Sequence, residues 1–316
     1  MKIIYYGTPQ FAVEPLRVLL ENNFAPAAVV TAPDRPAGRG LKPSSSEVKQ
    51  FALAHGLKIL QPEKLSAQDF LSELNAFRPD LQVVVAFRKL PEAVWLLPEL
   101  GTINLHASLL PDYRGAAPIN HAIINGEKET GVTTFYINEK IDTGKIILQQ
   151  KIAIDENDTA GTLHDKLTKA GAVLLLETIR QIEKGTVQTM EQNQLALNHP
   201  TLHAAPKLSK EFCRVNWNQS PEKIFNFIRG LSPVPSAWTE ITNGNFTTRL
   251  NISSSQKEIM EHDFRPGKII SDNRTFLKVA VRGGFIHLKR LQLAGKKRLR
   301  VEEFLRGFNT ENCFVK

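Results

Sequence analysis

The sequence predicts an α/β fold. An N-terminal, open, doubly wound and mostly parallel sheet of Rossmann-like type is followed by a smaller C-terminal β-barrel of OB type. Three observations carry this expectation. Short apolar runs alternate with helical stripes up to Gly185, short strands and turns take over beyond Pro206, and charge divides between the two parts. Residues 1–206 hold 20 Lys and Arg against 22 Asp and Glu, a net of −2, whereas residues 207–316 hold 20 against 10, a net of +10. At 316 residues the chain exceeds what one core usually fills, so two domains are expected: 1–188, a linker over 189–206, and 207–316.

Taken in order, Lys2–Tyr6 is an apolar strand, and Phe11, Ala12, Pro15, Leu16, Leu19 and Leu20 then recur with helical spacing. Ala27–Thr31 is a second strand, and Val48–His55 a helix stopped by Gly56. Lys58–Leu60, a helix over Ala67–Phe77, and the wholly apolar Leu81–Ala86 continue the alternation, the last as a central parallel strand would. Strands separated by helices imply right-handed crossovers and hence an open sheet. Gly7-Thr8-Pro9 reads as a tight turn, since no three-glycine fingerprint or P-loop lysine accompanies it. Asp34 lies in a Pro- and Gly-rich loop, Pro33–Pro43, whose Arg35, Arg39 and Lys42 suit phosphates better than a pocket wall.

The stretch Gly101–Asn120 is the most informative. Its start reads as a buried strand whose alternation puts Asn104 and His106 on one face and Ile103 and Leu105 on the other. Ser108-Leu109-Leu110-Pro111 ends that strand, and Gly115-Ala116-Ala117-Pro118 opens a helix. Polar groups at the carboxyl end of a buried strand stand where open sheets keep their ligands. Gly131–Tyr136 and Lys145–Ile154 are further strands, and the turn between them delivers Asp142 to the sheet edge. Asp158-Thr159 caps a helix carrying Leu163, Leu167, Ala170 and Leu174. His121 and His164 fall in helices and read as packing or surface residues, and Gln188–Pro206 as a polar connection.

Beyond it, a helix over Pro221–Arg229 precedes five strands: Ser236–Ile241, Thr247–Ile252, Lys268–Ile270, Phe276–Val281 and Phe285–Gln292. The turn Ala294–Arg300 gathers Lys296, Lys297, Arg298 and Arg300. Small barrels of this kind bind nucleic acid, and a cationic one attracts a polyanion by counterion release. Hydrophobic residues make up 42% of the chain without an apolar run long enough to span a membrane. Cys213 and Cys313 are too few for a disulfide framework or a thiolate metal site, so a reducing cytoplasm is expected. The further expectation is a monomer that uses no metal. Met1-Lys2 leads straight into the first strand, which leaves no room for a signal peptide.

Asn, His and a carboxylate on one face suit acyl transfer to an amine. The amide NH2 donates to a developing oxyanion, the imidazole moves a proton, and the carboxylate fixes the imidazole or accepts charge. No nucleophile elbow or well-placed cysteine is present, so direct attack by the amine is the simplest route.

At these positions the chain resembles the folate-dependent formyltransferases. Asn104-Leu-His106-Ala-Ser108-Leu-Leu-Pro111, Arg114-Gly-Ala-Ala-Pro118 and Asp142-Thr-Gly144 look like their signature. The resemblance implies Asn104, His106 and Asp142 as catalytic residues and Ser108, Leu109, Leu110 and Pro111 as the binding turn for 10-formyltetrahydrofolate, the formyl donor. Gly7-Thr8-Pro9 and the Pro33–Gly40 loop are similar to members that formylate methionine on initiator tRNA. So are Lys207–Lys210, Ile228-Arg229-Gly230, Pro233, Pro235, Trp238 and Ala294–Lys297. Initiator methionyl-tRNA is then the implied partner, held by Arg39, Lys42, Lys207, Lys210, Lys296, Lys297 and Arg298. The alternative within the family is an enzyme acting on a small amine such as an amino sugar, or a folate hydrolase. One departure stands out: Ala86-Phe87-Arg88-Lys89-Leu90-Pro91 replaces the family's Ala-Tyr-Gly and a longer loop.

Overall fold

The computed structural model describes residues 1–37, 42–197 and 201–316. Its residues cluster into two compact units that do not follow a single cut in the chain. Met1–Gly115, Glu129–Ala153 and His164–Ala204 form the first, and Ala116–Lys128, Ile154–Leu163 and Ala205–Lys316 the second.

The first unit holds a seven-stranded sheet of β1 (Ile3–Gly7), β2 (Ala28–Val30), β3 (Ile59–Leu60), β4 (Leu81–Val85), β5 (Thr102–His106), β6 (Glu129–Tyr136) and β7 (Ile146–Ala153). The order is β7-β6-β5-β4-β1-β2-β3, parallel from β3 through β5 and antiparallel at β6 and β7. This is the doubly wound, mostly parallel sheet expected. The strands β1 and β4 are buried along their whole length, as both faces of a parallel sheet require helices over them. The core on one face joins Ile4, Tyr6, Val30, Phe70, Leu74, Val84 and Val94. On β5, Leu105 packs against the long helix Ala160–Glu183 at Gly171, where an added methyl would lie 2.9 Å from Leu105 Cδ2. Leu105 therefore fixes which face meets the helix, and its neighbours Asn104 and His106 take the other.

The second unit is an antiparallel, nearly closed barrel of β8 (Ala237–Thr242), β9 (Thr247–Ile259), β10 (Ile269–Ser271), β11 (Leu277–Val281), β12 (Gly284–Leu293) and β13 (Phe314–Val315). The order is β10-β11-β12-β9-β8-β13, and a bridge between Lys268 and Phe314 brings the two ends together. Its core includes Trp217, Ile228, Leu250, Val279, Ile286 and Leu291. The strand β9 runs to Ile259, well past the expected end at Ile252, because register shifts around Ser254 break the alternation that marks a strand in sequence. Within this unit the helix Pro118–Ile124 crosses Pro221–Gly230 closely. Asn120 Nδ2 donates to the Gly230 carbonyl at 2.7 Å, and a Cβ at Gly230 would meet Ile124 Cγ1 at 2.7 Å. His121 is buried there, its Nε2 2.9 Å from the Pro206 carbonyl, a packing role as expected.

Candidate active site

Asn104 and His106 lie at the carboxyl end of β5, opposite Val84 of β4 and opposite Phe135 and Thr133 of β6. Asn104 is half-buried, and among the described residues none hydrogen-bonds to its side-chain amide. His106 is buried. Its Nε2 is 2.9 Å from the Tyr113 carbonyl, which can only accept, so this nitrogen carries the hydrogen and Nδ1 is left toward Asp142. Asp142 Oδ2 stands 3.8 Å from His106 Nδ1 and accepts the Gly115 N–H at 2.9 Å. The three predicted catalytic residues thus belong to one unit, with the imidazole and the carboxylate side by side.

The turn that carries Asp142 is held tightly. Asp142 has φ +55°, an uncommon backbone state for a non-glycine residue. Two residues on, a Cβ at Gly144 would sit 1.6 Å from the Tyr136 carbonyl oxygen, so only glycine fits that close return of the chain onto β6. Arg114 lies near this carboxylate. Burial lowers its guanidinium pKa from the ordinary arginine range, and the Asp142 charge opposes that shift.

The turn Ser108–Pro111 is buried and rigid. Ser108 Oγ donates to the Asp112 carbonyl at 2.6 Å, and Thr133 Oγ1 donates to the Ser108 carbonyl at 2.7 Å. The Leu110 N–H reaches Thr133 Oγ1 at 3.2 Å, while Gln149 Nε2 donates to the Leu110 carbonyl at 2.8 Å. Thr133 and Gln149 of the neighbouring strands thus hold the turn at Ser108 and Leu110, and between them Leu109 is half-buried.

Sequence reasoning missed Gln192. It lies in the short helix Gln192–Ala196, inside the stretch read as a linker, where Met190 and Ile146 also exchange backbone hydrogen bonds at 2.9 Å each. Gln192 is 2% exposed and touches both Arg114 and the Asp142 turn. No periodicity or motif marks it. The Arg88 that replaces the family's glycine donates through Nη1 to the Glu63 carbonyl at 2.8 Å and through Nη2 to the Pro62 carbonyl. Its guanidinium lies 5.6 Å from the Phe87 ring centroid, and Phe87 packs on Tyr6.

Of the predicted cations, Arg39 lies outside the described residues, and Lys42 is in a short strand, Lys42–Ser44, paired with Arg35–Ala37. Lys207, Lys210, Lys296, Lys297 and Arg298 are exposed on the second unit, and Arg298 Nη2 also reaches the Pro233 carbonyl at 3.3 Å. Asp34 is paired with Lys49 at 2.6 Å and Gln61 at 3.0 Å, and these partners hold its carboxyl below the usual range.

A formyl transferase profile matches residues 1–179 and a formyl transferase C-terminal domain profile residues 207–309. A methionyl-tRNA formyltransferase of Bacteroides fragilis is 49% identical over 315 residues, covering 99% of this chain and 97% of its own. One from Parabacteroides distasonis is 50% identical over 310 residues, covering 98% and 96%. Among solved structures, an N-formyltransferase from Helicobacter canadensis, in complex with folinic acid and dTDP-3-aminofucose, shares the fold. Its TM-score is 0.60 at 21% identity, covering 91% of this chain and 98% of that one. The chain belongs to the formyl transferase family, with the methionyl-tRNA formyltransferases.

Proposed function

We propose that this chain transfers the formyl group of 10-formyltetrahydrofolate to the α-amino group of methionine on initiator methionyl-tRNA, by direct attack of the amine, for translation initiation. The observation that carries the chemistry is the pairing of His106 and Asp142 at 3.8 Å on the strand end that also bears Asn104. The folate supplies an activated formyl carbonyl. Asn104 donates its amide hydrogen where negative charge develops on the formyl oxygen, the kind of contact whose removal costs a factor of about 10² to 10³ in kcat. His106 takes the amine's proton at Nδ1 as the new C–N bond forms, Asp142 stabilises the charge that the ring then holds, and the proton passes to the folate nitrogen as its bond to the formyl carbon breaks and tetrahydrofolate leaves.

Ser108, Leu109, Leu110 and Pro111 are assigned to the folate. A turn tied to the sheet by Thr133 and Gln149 and carrying a half-buried Leu109 suits the flat, apolar middle of that molecule. The +10 charge of residues 207–316 suits a polyanionic acceptor, and a small amine such as an amino sugar has no use for it. Arg39, Lys42, Lys207, Lys210, Lys296, Lys297 and Arg298 are the assigned phosphate contacts, and residues 1–188 and 207–316 the assigned catalytic and tRNA-binding parts. We assign the protein to the cytoplasm, as a monomer. The test is direct: purified protein, charged initiator methionyl-tRNA and 10-formyltetrahydrofolate should yield a blocked methionine amino group. Formylation of a free amino sugar in place of the tRNA would overturn the acceptor.

A further inference from the structure

We infer that Gln192 is the positioning residue for Asp142, an inference that rests on the catalytic role proposed above for that carboxylate. One buried amide serves two groups at once. Its Oε1 accepts from Arg114 Nε at 3.0 Å and Nη2 at 2.6 Å, while its Nε2 donates to the Asp142 carbonyl at 3.0 Å and the Gly144 carbonyl at 2.8 Å. The acceptor end fixes a partly buried guanidinium whose charge faces Asp142, and the donor end pins the backbone on either side of Thr143. Both effects converge on the Asp142 carboxylate.

The local bonds of the turn stop short of the Asp142 and Gly144 carbonyls, which Gln192 holds. Asp142 sits at φ +55°, Ile141 beside it is 60% exposed, and the outer part of the turn is held by local bonds among Asn138, Lys140 and Thr143. Gln192 supplies the clamp from a distant segment, where it is anchored by the Met190–Ile146 bridge and by Leu195 packing on Leu110, Phe135 and Ile146. Misplacing a reacting group by about 1 Å can cost a factor of about 10² in rate, so a residue that touches no substrate can still govern turnover.

The test uses the full-length protein. Gln192→Met keeps the volume and removes all four hydrogen bonds; Gln192→Asn keeps an amide but is one methylene too short to reach both ends. Each variant should lower kcat at least tenfold and leave KM for methionyl-tRNA and for 10-formyltetrahydrofolate within about twofold, the signature of misplaced chemistry rather than lost binding. A folded variant with parental kcat, a change confined to KM, or failure of both variants to fold would overturn the inference. Asp142→Asn is measured alongside. A parental rate there would instead remove Asp142 from the chemistry, and the proposed mechanism with it, whereas a slow Asp142→Asn with fast Gln192 variants would sink the clamp alone.

Discussion

His106 Nδ1 and Asp142 Oδ2 face each other at 3.8 Å, too far for a hydrogen bond but near enough for charge to be felt. The carboxylate oxygen is meanwhile held by the Gly115 N–H, and the far side of the ring by the Tyr113 carbonyl. Two partners restrain the pair before any substrate arrives. Asp142→Asn retains an oxygen for Gly115 and removes only the charge, so the fold should survive. We expect kcat to fall by about 10², within the range for a group assisting proton transfer, as measured by single-turnover formylation of methionyl-tRNA. A rate within a few-fold of the parent would show that the charge is not used.

Asn104 differs in that none of the described residues is bonded to its amide. Replacing it by Ala leaves no internal partner stranded, and the stability cost should be small, under about 1 kcal/mol. Turnover should drop by about 10² to 10³ while the affinity for methionyl-tRNA stays at the parental value. The two are separated by combining the rate assay with equilibrium filter binding. Loss of tRNA affinity in step with rate would place Asn104 in acceptor binding instead.

The exposed cations of the second unit bear on affinity rather than rate. Each phosphate contact made by Lys296, Lys297 or Arg298 contributes about 0.7 to 0.9 to the slope of log affinity against log salt. Replacing all three with Gln should flatten that slope by about 2 and weaken tRNA binding at low salt, leaving saturating turnover unchanged. A slope identical to the parent's would remove this turn from the interface.

Much of this was legible in the sequence, and the misses share a cause. The alternation of apolar runs and helical stripes is set by side-chain period, which survives in a single chain, so β1, β4 and β5 and the face shared by Asn104 and His106 could be read directly. The β7 and β6 strands that frame Asp142 were equally plain. What holds the site is different in kind. Tyr113 and Gly115 act through backbone atoms that any residue would present, and Gln192 acts from a polar, aperiodic stretch whose contacts are long-range. Arg88 was visible as a departure, but its two carbonyl partners, Pro62 and Glu63, follow a different strand, β3. The second unit's β9 extends beyond its apolar alternation for a related reason, since a bulge hides the continuation that β12 enforces through pairing.

In the barrel, Glu258 gathers two donors. His287 Nε2 lies 2.5 Å away and Lys278 Nζ 3.0 Å away, and these bonds, the histidine's first, hold the Glu258 carboxyl below the usual range. A carboxyl whose pKa falls on folding stabilises the native state at any pH above its unfolded value, about 4.3 for Glu. That contribution fades as pH drops through the lower, folded value, because the unfolded chain then binds the proton first. Glu258→Gln should therefore be less stable than the parent near pH 7 and approach it as the solution is acidified below about pH 4.3. Urea midpoints taken at neutral pH and again in acid decide the matter, with the slope m checked for constancy. Two curves displaced by the same amount at every pH would mean that the cluster adds packing without the charge linkage.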